Sequence, residues 1–347
     1  MREGVRLDPS RDGEVGSGSR RRMRTVTAAA DGGSFAEDVR RGLASPAKYL
    51  LPKYFYDDLG SLLFASICLL PEYYLTRVET QILATHAVEV LALLPSPLRL
   101  IELGSGESQK TRLLIEAILE RQAELQYVPI DISPGALARA SEQLLQEQPR
   151  LRVDALAGDY GECLRVLAAE RGPEPDGPAS LALFLGSTLG NLDPGEQSAL
   201  LRSVREVLAE GDGLLIGVDW KKPAAELIPA YDDALGVTAA FNLNVLLRIN
   251  RELGANFDLA SFRHLARYDE RLGRIEMHLV SRRPQAVTIG ALDLEVSFAE
   301  GESIHTESSY RFDAEALATR AASAGFVVAR TWFDQRRRFA SSLLLAV

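Results

Sequence analysis

From residue 98 onward, short apolar runs alternate with segments whose apolar residues recur at helical spacing. The runs at 98–103, 127–131, 151–156, 180–185 and 213–218 are too short to be helices and read as buried strands. Helical periodicity separates them at about 108–121, 134–147 and 194–209. Strand and helix in alternation predict a parallel, doubly wound sheet. A helix at about 313–324, then Phe326–Trp332 and a last strand, Ser341–Val347, predict a closing hairpin on the edge of that sheet.

Two other stretches have a different rhythm. Residues 35–45, 57–70 and 76–94 read as helices, with Leu-Pro pairs breaking the chain at 51–52 and 70–71. Residues 224–234, 237–253 and 258–266 also read as helices, and 274–298 alternates like antiparallel strands. The expected organisation is therefore discontinuous: a nucleotide-binding domain at 77–221 and 312–347, and a cap at 35–76 and 222–311. Residues 1–34, rich in Gly, Ser and Arg with Arg20-Arg21-Arg22, are expected to be a disordered tail, with Met23 an alternative start. No internal repeat is visible.

Hydrophobic residues make up 46% and charged residues 25% of the 347, the balance of a globular protein. A formal charge of −9 disfavours nucleic acid and anionic membrane as partners. No apolar run has the length of a bilayer span, and the N-terminus lacks a signal peptide's apolar core. Cys68 and Cys163 are far apart, and His86, His264, His278 and His305 lack metal-like spacing, so neither a disulfide framework nor a metal site is expected. A cytoplasmic, monomeric enzyme acting on a small molecule is the expectation.

Chemistry concentrates at the strand ends. Gly104-Ser105-Gly106 follows one strand and precedes a helix, where glycine lets backbone approach a ligand. Alone this is a weak signal. Glu102 precedes the glycines, Asp131 ends the second strand where it can accept from two ribose hydroxyls, and Asp159 ends the third where it can accept from an adenine amino group. Dinucleotides and S-adenosylmethionine compete for such a site. Position 109 is Gln where a dinucleotide turn would carry its third glycine, and Glu102 suits a cationic ligand better than pyrophosphate. The acids favour the methyl donor. Lys110 either pairs with the donor's carboxylate or is a solvated residue of the helix's first turn; spacing leaves both open.

Longer motifs sharpen this reading: Lys53-Tyr54-Phe55-Tyr56-Asp57-Asp58, Leu70-Pro71-Glu72-Tyr73-Tyr74-Leu75-Thr76-Arg77, Ile101-Glu102-Leu103-Gly104-Ser105-Gly106 and Phe184-Leu185-Gly186-Ser187-Thr188-Leu189-Gly190-Asn191-Leu192. Ala230-Tyr231-Asp232-Asp233, Glu276-Met277-His278-Leu279 and Gly301-Glu302-Ser303-Ile304-His305-Thr306-Glu307-Ser308-Ser309-Tyr310 follow. In these the chain, over about 35–347, resembles the histidine-specific, S-adenosylmethionine-dependent methyltransferases, which make hercynine, the trimethylated betaine of histidine, on the way to ergothioneine. The resemblance implies an α/β fold: a Rossmann-like doubly wound methyltransferase sheet with a second, smaller α+β cap domain.

It also implies roles. Tyr56, Gly104, Lys110, Asp131 and Asp159 would serve the donor, alongside Glu102 and Gly106. Tyr73, Asn191 and Tyr231 would hold the amino acid head of L-histidine, Glu307 and Ser309 would read its imidazole, and Met277 would lie near the substrate. Tyr56 or Tyr73 would relay a proton or orient the amine. Each residue has a plainer reading: core tyrosines with satisfied hydroxyls, Asn191 as a turn residue, Glu307 solvated in a loop, Met277 as core filler. The joint match of the motifs outweighs these. Two rival functions remain in view: N-methylation of another amino acid such as tryptophan, which a polar Glu–Ser pair opposes, and a non-catalytic S-adenosylmethionine-binding protein.

Overall fold

The computed structural model describes residues 20–26, 34–171 and 177–347. They divide into two compact units, each described by itself. One contains residues 20–26 with Leu75–Trp220 and Phe312–Val347, and the other contains residues 34–74 with Lys221–Arg311.

In chain order, β1 (Arg21–Thr25) belongs to the first unit, and α1 (Phe35–Ala44) and α2 (Asp58–Ile67) to the second. The first unit resumes with α3 (Leu75–Ala92), β2 (Leu98–Leu103), α4 (Thr111–Leu119), β3 (Leu125–Asp131), α5 (Pro134–Glu147) and β4 (Leu151–Ala157). It continues through α6 (Tyr160–Glu170), β5 (Ala179–Phe184), α7 (Pro194–Val207) and β6 (Gly213–Asp219). Residues 160–170, unassigned in the sequence reading, thus form a helix, capped by Asp159, whose carboxylate accepts from the Gly161 amide.

The second unit then adds α8 (Ala224–Leu227), α9 (Val237–Leu253), β7 (Phe262–Asp269), β8 (Arg274–Ser281), β9 (Gln285–Ile289), β10 (Leu294–Phe298) and β11 (Ser303–Tyr310). Strands β11, β8 and β7 form an antiparallel sheet in that order, and β9 and β10 a hairpin. The helix expected at 258–266 is corrected: only Leu259–Ser261 makes a 3-10 turn, and Phe262 onward is β7. Eight residues of β7 pair in register with β8 across a turn containing Gly273 at φ 64°, and this ladder overrides a short, ambiguous local pattern.

The chain closes the first unit with α10 (Ala314–Ser323), β12 (Phe326–Phe333) and β13 (Phe339–Ala346). Its sheet runs β1-β4-β3-β2-β5-β6-β13-β12, parallel from β1 to β6 and antiparallel at β13 and β12. The strand order reverses between β2, whose chain successor lies on one side, and β5 on the other. That switch point opens a crevice at the carboxyl ends of the strands. β6 is buried along its whole length, as a central strand covered on both faces should be.

The tail expectation needs correction at residues 20–26; 1–19 and 27–33 lie outside the described residues. β1 adds an edge strand beside β4 in parallel register from Arg21 opposite Val153 to Thr25 opposite Ala157. Val26 is buried in the core, and Arg24, only 3% exposed, pairs with Asp154 at 2.9 Å and with Glu170. Arg20 donates to the carbonyls of Leu145 and Gln148 at the end of α5. The basic residues that suggested disorder are thus partly neutralised by carboxylates and helix carbonyls. Arg24→Ala would strand Asp154 without its cation and is expected to destabilise the protein by about 1–3 kcal/mol. Urea unfolding with wild-type stability would show that β1 is energetically idle.

Candidate functional site

The first unit gathers its polar groups at the switch point. Gly104 and Gly106 adopt φ 71° and 49°. A Cβ on Gly104 would lie 2.6 Å from the Tyr160 hydroxyl, whereas the space beside Gly106 is open. That leaves a backbone cradle a ligand can approach. Asp131 at the end of β3 accepts the Gly106 amide on one carboxylate oxygen and the Ser133 amide on the other, both at 2.9 Å. Burial raises its pKa, opposed by those amides. Asp159 is exposed at the end of β4. The buried Ser105 hydroxyl has no hydrogen-bond partner among the described residues.

Glu102 sits differently from a ligand-facing acid. It is 3% exposed, and its two oxygens accept from Thr111 and Tyr127. Burial pushes its carboxyl up to about 7, against those hydrogen bonds and the charge of Lys110. Its place is under the turn, as a brace. Lys110 has a partner absent from the sequence reading: the fully buried Glu79 of α3, which also accepts the Gly186 amide at 2.8 Å. Glu79 lies against Gly217, where a Cβ could not fit. Asn191 ends the 3-10 turn Thr188–Asn191 that follows β5 in the same unit.

The second unit gathers the other candidates. In β11 the register shifts between His305 and Glu307, so that His305 faces His278 while Glu307 faces Met277 and Ser309 faces Ile275. Glu307 and Ser309 therefore lie on one face of the sheet with Met277. Glu307 is 6% exposed, and burial pushes its carboxyl up to about 7 while the Arg311 guanidinium pulls it down. Glu307 thus lies in a strand and not in the solvated loop of its plainer reading.

Ser309 accepts from the Tyr231 hydroxyl at 3.0 Å and from Arg311 at 2.8 Å. Behind Tyr231, His264 donates its Nε2–H to the Tyr231 carbonyl at 2.8 Å and accepts from Asn242 on Nδ1 at 2.9 Å. Burial lowers the pKa of His264, which fits this neutral tautomer. Tyr73 stacks edge-on with Tyr231 and Phe64, with ring centres 6.5 and 6.1 Å apart, and Tyr56 packs on Phe64 and Phe241 at 5.6 Å. Burial drives the Tyr73 phenol further above its ordinary range, so it stays protonated. Phe64 and Arg311 had no distinguishing signal in the sequence. Tyr56, expected on the donor side, belongs to this unit. Among the described residues no group of three or more His, Cys, Asp or Glu is placed to hold a metal ion.

A mostly parallel sheet with a glycine cradle at its switch point and acids after the next two strands is a fold that binds nucleotide-type cofactors, and the family match assigns it to the S-adenosylmethionine-dependent methyltransferases. Residues 35–346 match the family described as histidine-specific, SAM-dependent methyltransferase. The Histidine N-alpha-methyltransferase of Mycolicibacterium smegmatis is 44% identical over 306 residues, covering 88% of this chain and 93% of that protein. Its namesake in Mycobacterium tuberculosis is 43% identical over the same shares. Ergothioneine biosynthesis protein 1 of Neurospora crassa is 31% identical over 80% of this chain, which spans 31% of that longer protein. The chain belongs to the histidine-specific, S-adenosylmethionine-dependent methyltransferase family.

The cradle fits that donor: Gly106 leaves room, and the buried Ser105 hydroxyl has no hydrogen-bond partner among the described residues. Asp131→Ala tests the expected ribose contact and also releases the Gly106 and Ser133 amides. Donor affinity measured by calorimetry should fall by about 1–3 kcal/mol, and unchanged affinity in a folded variant would refute the assignment.

Proposed function

We propose that this protein methylates the α-amine of L-histidine three times to give hercynine, the first step of ergothioneine biosynthesis. In this reading Gly104, Gly106, Lys110, Asp131 and Asp159 hold the donor. Glu307 and Ser309 read the imidazole, and Tyr73, Asn191 and Tyr231 handle the amino acid head. The observation that carries it is the Glu307–Ser309 pair. A carboxylate and a hydroxyl on one strand face, two residues apart, match the two nitrogens of one imidazole.

The donor supplies an electrophilic methyl group on a sulfonium. The protein's work is then alignment and exclusion of water. A peptide's terminal α-amine has a pKa of about 8, and that of a free amino acid, beside its own carboxylate, is higher, so a small neutral fraction exists without a strong base. Tyr73, held protonated by burial, is suited to orient the amine as a hydrogen-bonding hydroxyl and unsuited to begin as a base. The rings of Tyr56, Phe64, Tyr73, Tyr231 and Phe241 offer aromatic faces for the growing quaternary ammonium, each such contact contributing about 0.5–2 kcal/mol.

We further infer that it works as a cytoplasmic monomer; among the described residues no disulfide joins Cys68 and Cys163, and no helix is long and apolar enough to cross a membrane. Light scattering should return the mass of one chain.

Mass spectrometry with excess donor should show three methyl groups on the α-nitrogen per histidine; arrest at one methyl, or methylation of the ring, contradicts the proposal. The acceptor form of Glu307 is the carboxylate, which is lost as pH falls through about 7. The KM for histidine should therefore rise on acidification across that value. Glu307→Gln should raise KM about tenfold or more at pH 8 while donor binding is retained. A KM that is flat between pH 6 and 8, or unchanged in this variant, would remove Glu307 from the substrate site.

A further inference from the structure

We infer that Arg311 is a specificity-determining positioning residue: it fixes the polarity of the imidazole-reading pair so that Ser309 can only donate and Glu307 can only accept. The inference rests on the proposed histidine chemistry and goes beyond it in naming which form of the ring is selected.

The argument is one of counting. A serine hydroxyl has two lone pairs and one hydrogen. The Arg311 guanidinium has no acceptor capacity, so its 2.8 Å contact occupies one lone pair of the Ser309 oxygen. The Tyr231 hydroxyl, at 3.0 Å, occupies the second. The Ser309 hydrogen is left to point at a ligand. A ring nitrogen meeting Ser309 must then present its own lone pair. The other nitrogen, meeting the Glu307 carboxylate, must present N–H. One tautomer of neutral imidazole satisfies both. An imidazolium, with N–H on both nitrogens, does not.

Arg311 is itself well held. It is 3% exposed, donates to the Ser309 and Tyr310 carbonyls at 3.0 and 3.3 Å, and lies over the Tyr231 ring at 5.1 Å. Its charge acts on Glu307 in the same sense, favouring the carboxylate and opposing a second cation in the pocket. Tyr73 and, on the Glu307 face of the sheet, Met277, Ile275 and His264 carry no such charge. Tyr73 is a protonated phenol, and Met277 and Ile275 of β8 are apolar. His264 of β7 is neutral in its Asn242–Tyr231 bracket. Glu276 and His278 occupy the opposite face of the sheet, where Glu276 pairs with Arg267 and Arg274.

The test compares Arg311→Gln, Arg311→Lys, Ser309→Ala and the double variant Arg311→Gln/Ser309→Ala. Donor affinity, the KM for histidine and its dependence on pH are read for each. Arg311→Gln should raise the histidine KM tenfold or more with donor affinity within twofold. It should also move the acid-side bend of 1/KM upward from the wild-type position, because Glu307 has lost the cation that favours its charged form. Arg311→Lys, which keeps a donor and a charge, should fall between. In the Ser309→Ala background the glutamine change should add less than in the wild type, since much of its effect passes through the hydroxyl. A folded Arg311→Gln enzyme with wild-type KM and an unmoved bend overturns the inference. Full additivity with an unmoved bend does so too. If Arg311→Gln does not fold, Arg311→Lys with an unchanged KM and bend overturns it. A wild-type enzyme that leaves histidine unmethylated would instead overturn the underlying reading.

Discussion

The candidate acceptor side depends on one irregularity, the register shift in β11 between His305 and Glu307. Continued without it, the ladder would set Glu307 opposite Glu276 and Ser309 opposite Arg274. Glu307 would then share a face with a carboxylate already paired to two arginines and His278. A shift of one residue exchanges the faces of every side chain beyond it. The bulge therefore separates two carboxylates by the thickness of the sheet. Glu276, among cations, is held down at about 2, whereas Glu307, among aromatic and apolar groups, is pushed up to about 7. Two glutamates on paired strands acquire different chemistry from the side of the sheet they occupy.

The first unit makes the same use of environment with a different result. Glu102 is also buried and also pushed up to about 7, yet both its oxygens are taken by Thr111 and Tyr127. A carboxylate satisfied inside the protein braces the turn above it. Asp131 ties that turn to β3 through the Gly106 amide, and Glu79 ties Lys110 to the loop after β5 through the Gly186 amide. The crevice at the switch point is thus laced by carboxylates that bind backbone amides. Its geometry is fixed from three strands at once, which suits a site whose task is to align rather than to react.

Much of this was legible in the sequence because strand ends and glycine turns are local. The run at 98–103, the glycine turn after it and the acids at 131 and 159 point to a site at the strand ends by their spacing. What stayed hidden was set by long-range pairing. Residues 258–266 have no helical commitment strong enough to resist the β8 ladder, and Arg24 reads as a tail residue until Asp154 and Glu170 meet it from 130 and 146 positions away. Glu79 and Arg311 carry no motif. Their meaning comes from a lysine 31 residues distant in one case and from a serine two residues away in the other. The serine is near, but the strand must form before the arginine can reach back to it.

Tyr73 shows how burial decides between roles that spacing leaves equal. A phenol can orient an amine or accept its proton, and both need the ring beside the reacting nitrogen. Surrounded by Tyr231, Phe64 and the charge of Glu307, its ionised form is strongly disfavoured. A group that resists ionisation is a poor starting base and a durable hydrogen-bonding one. In the proposed mechanism the ammonium proton is lost to water before attack, which the small neutral fraction of the amine in solution allows. The surrounding rings are consistent with this division: they stabilise a cation without needing to move a proton, and their attraction survives each successive methylation, when the nitrogen has fewer hydrogens left to offer.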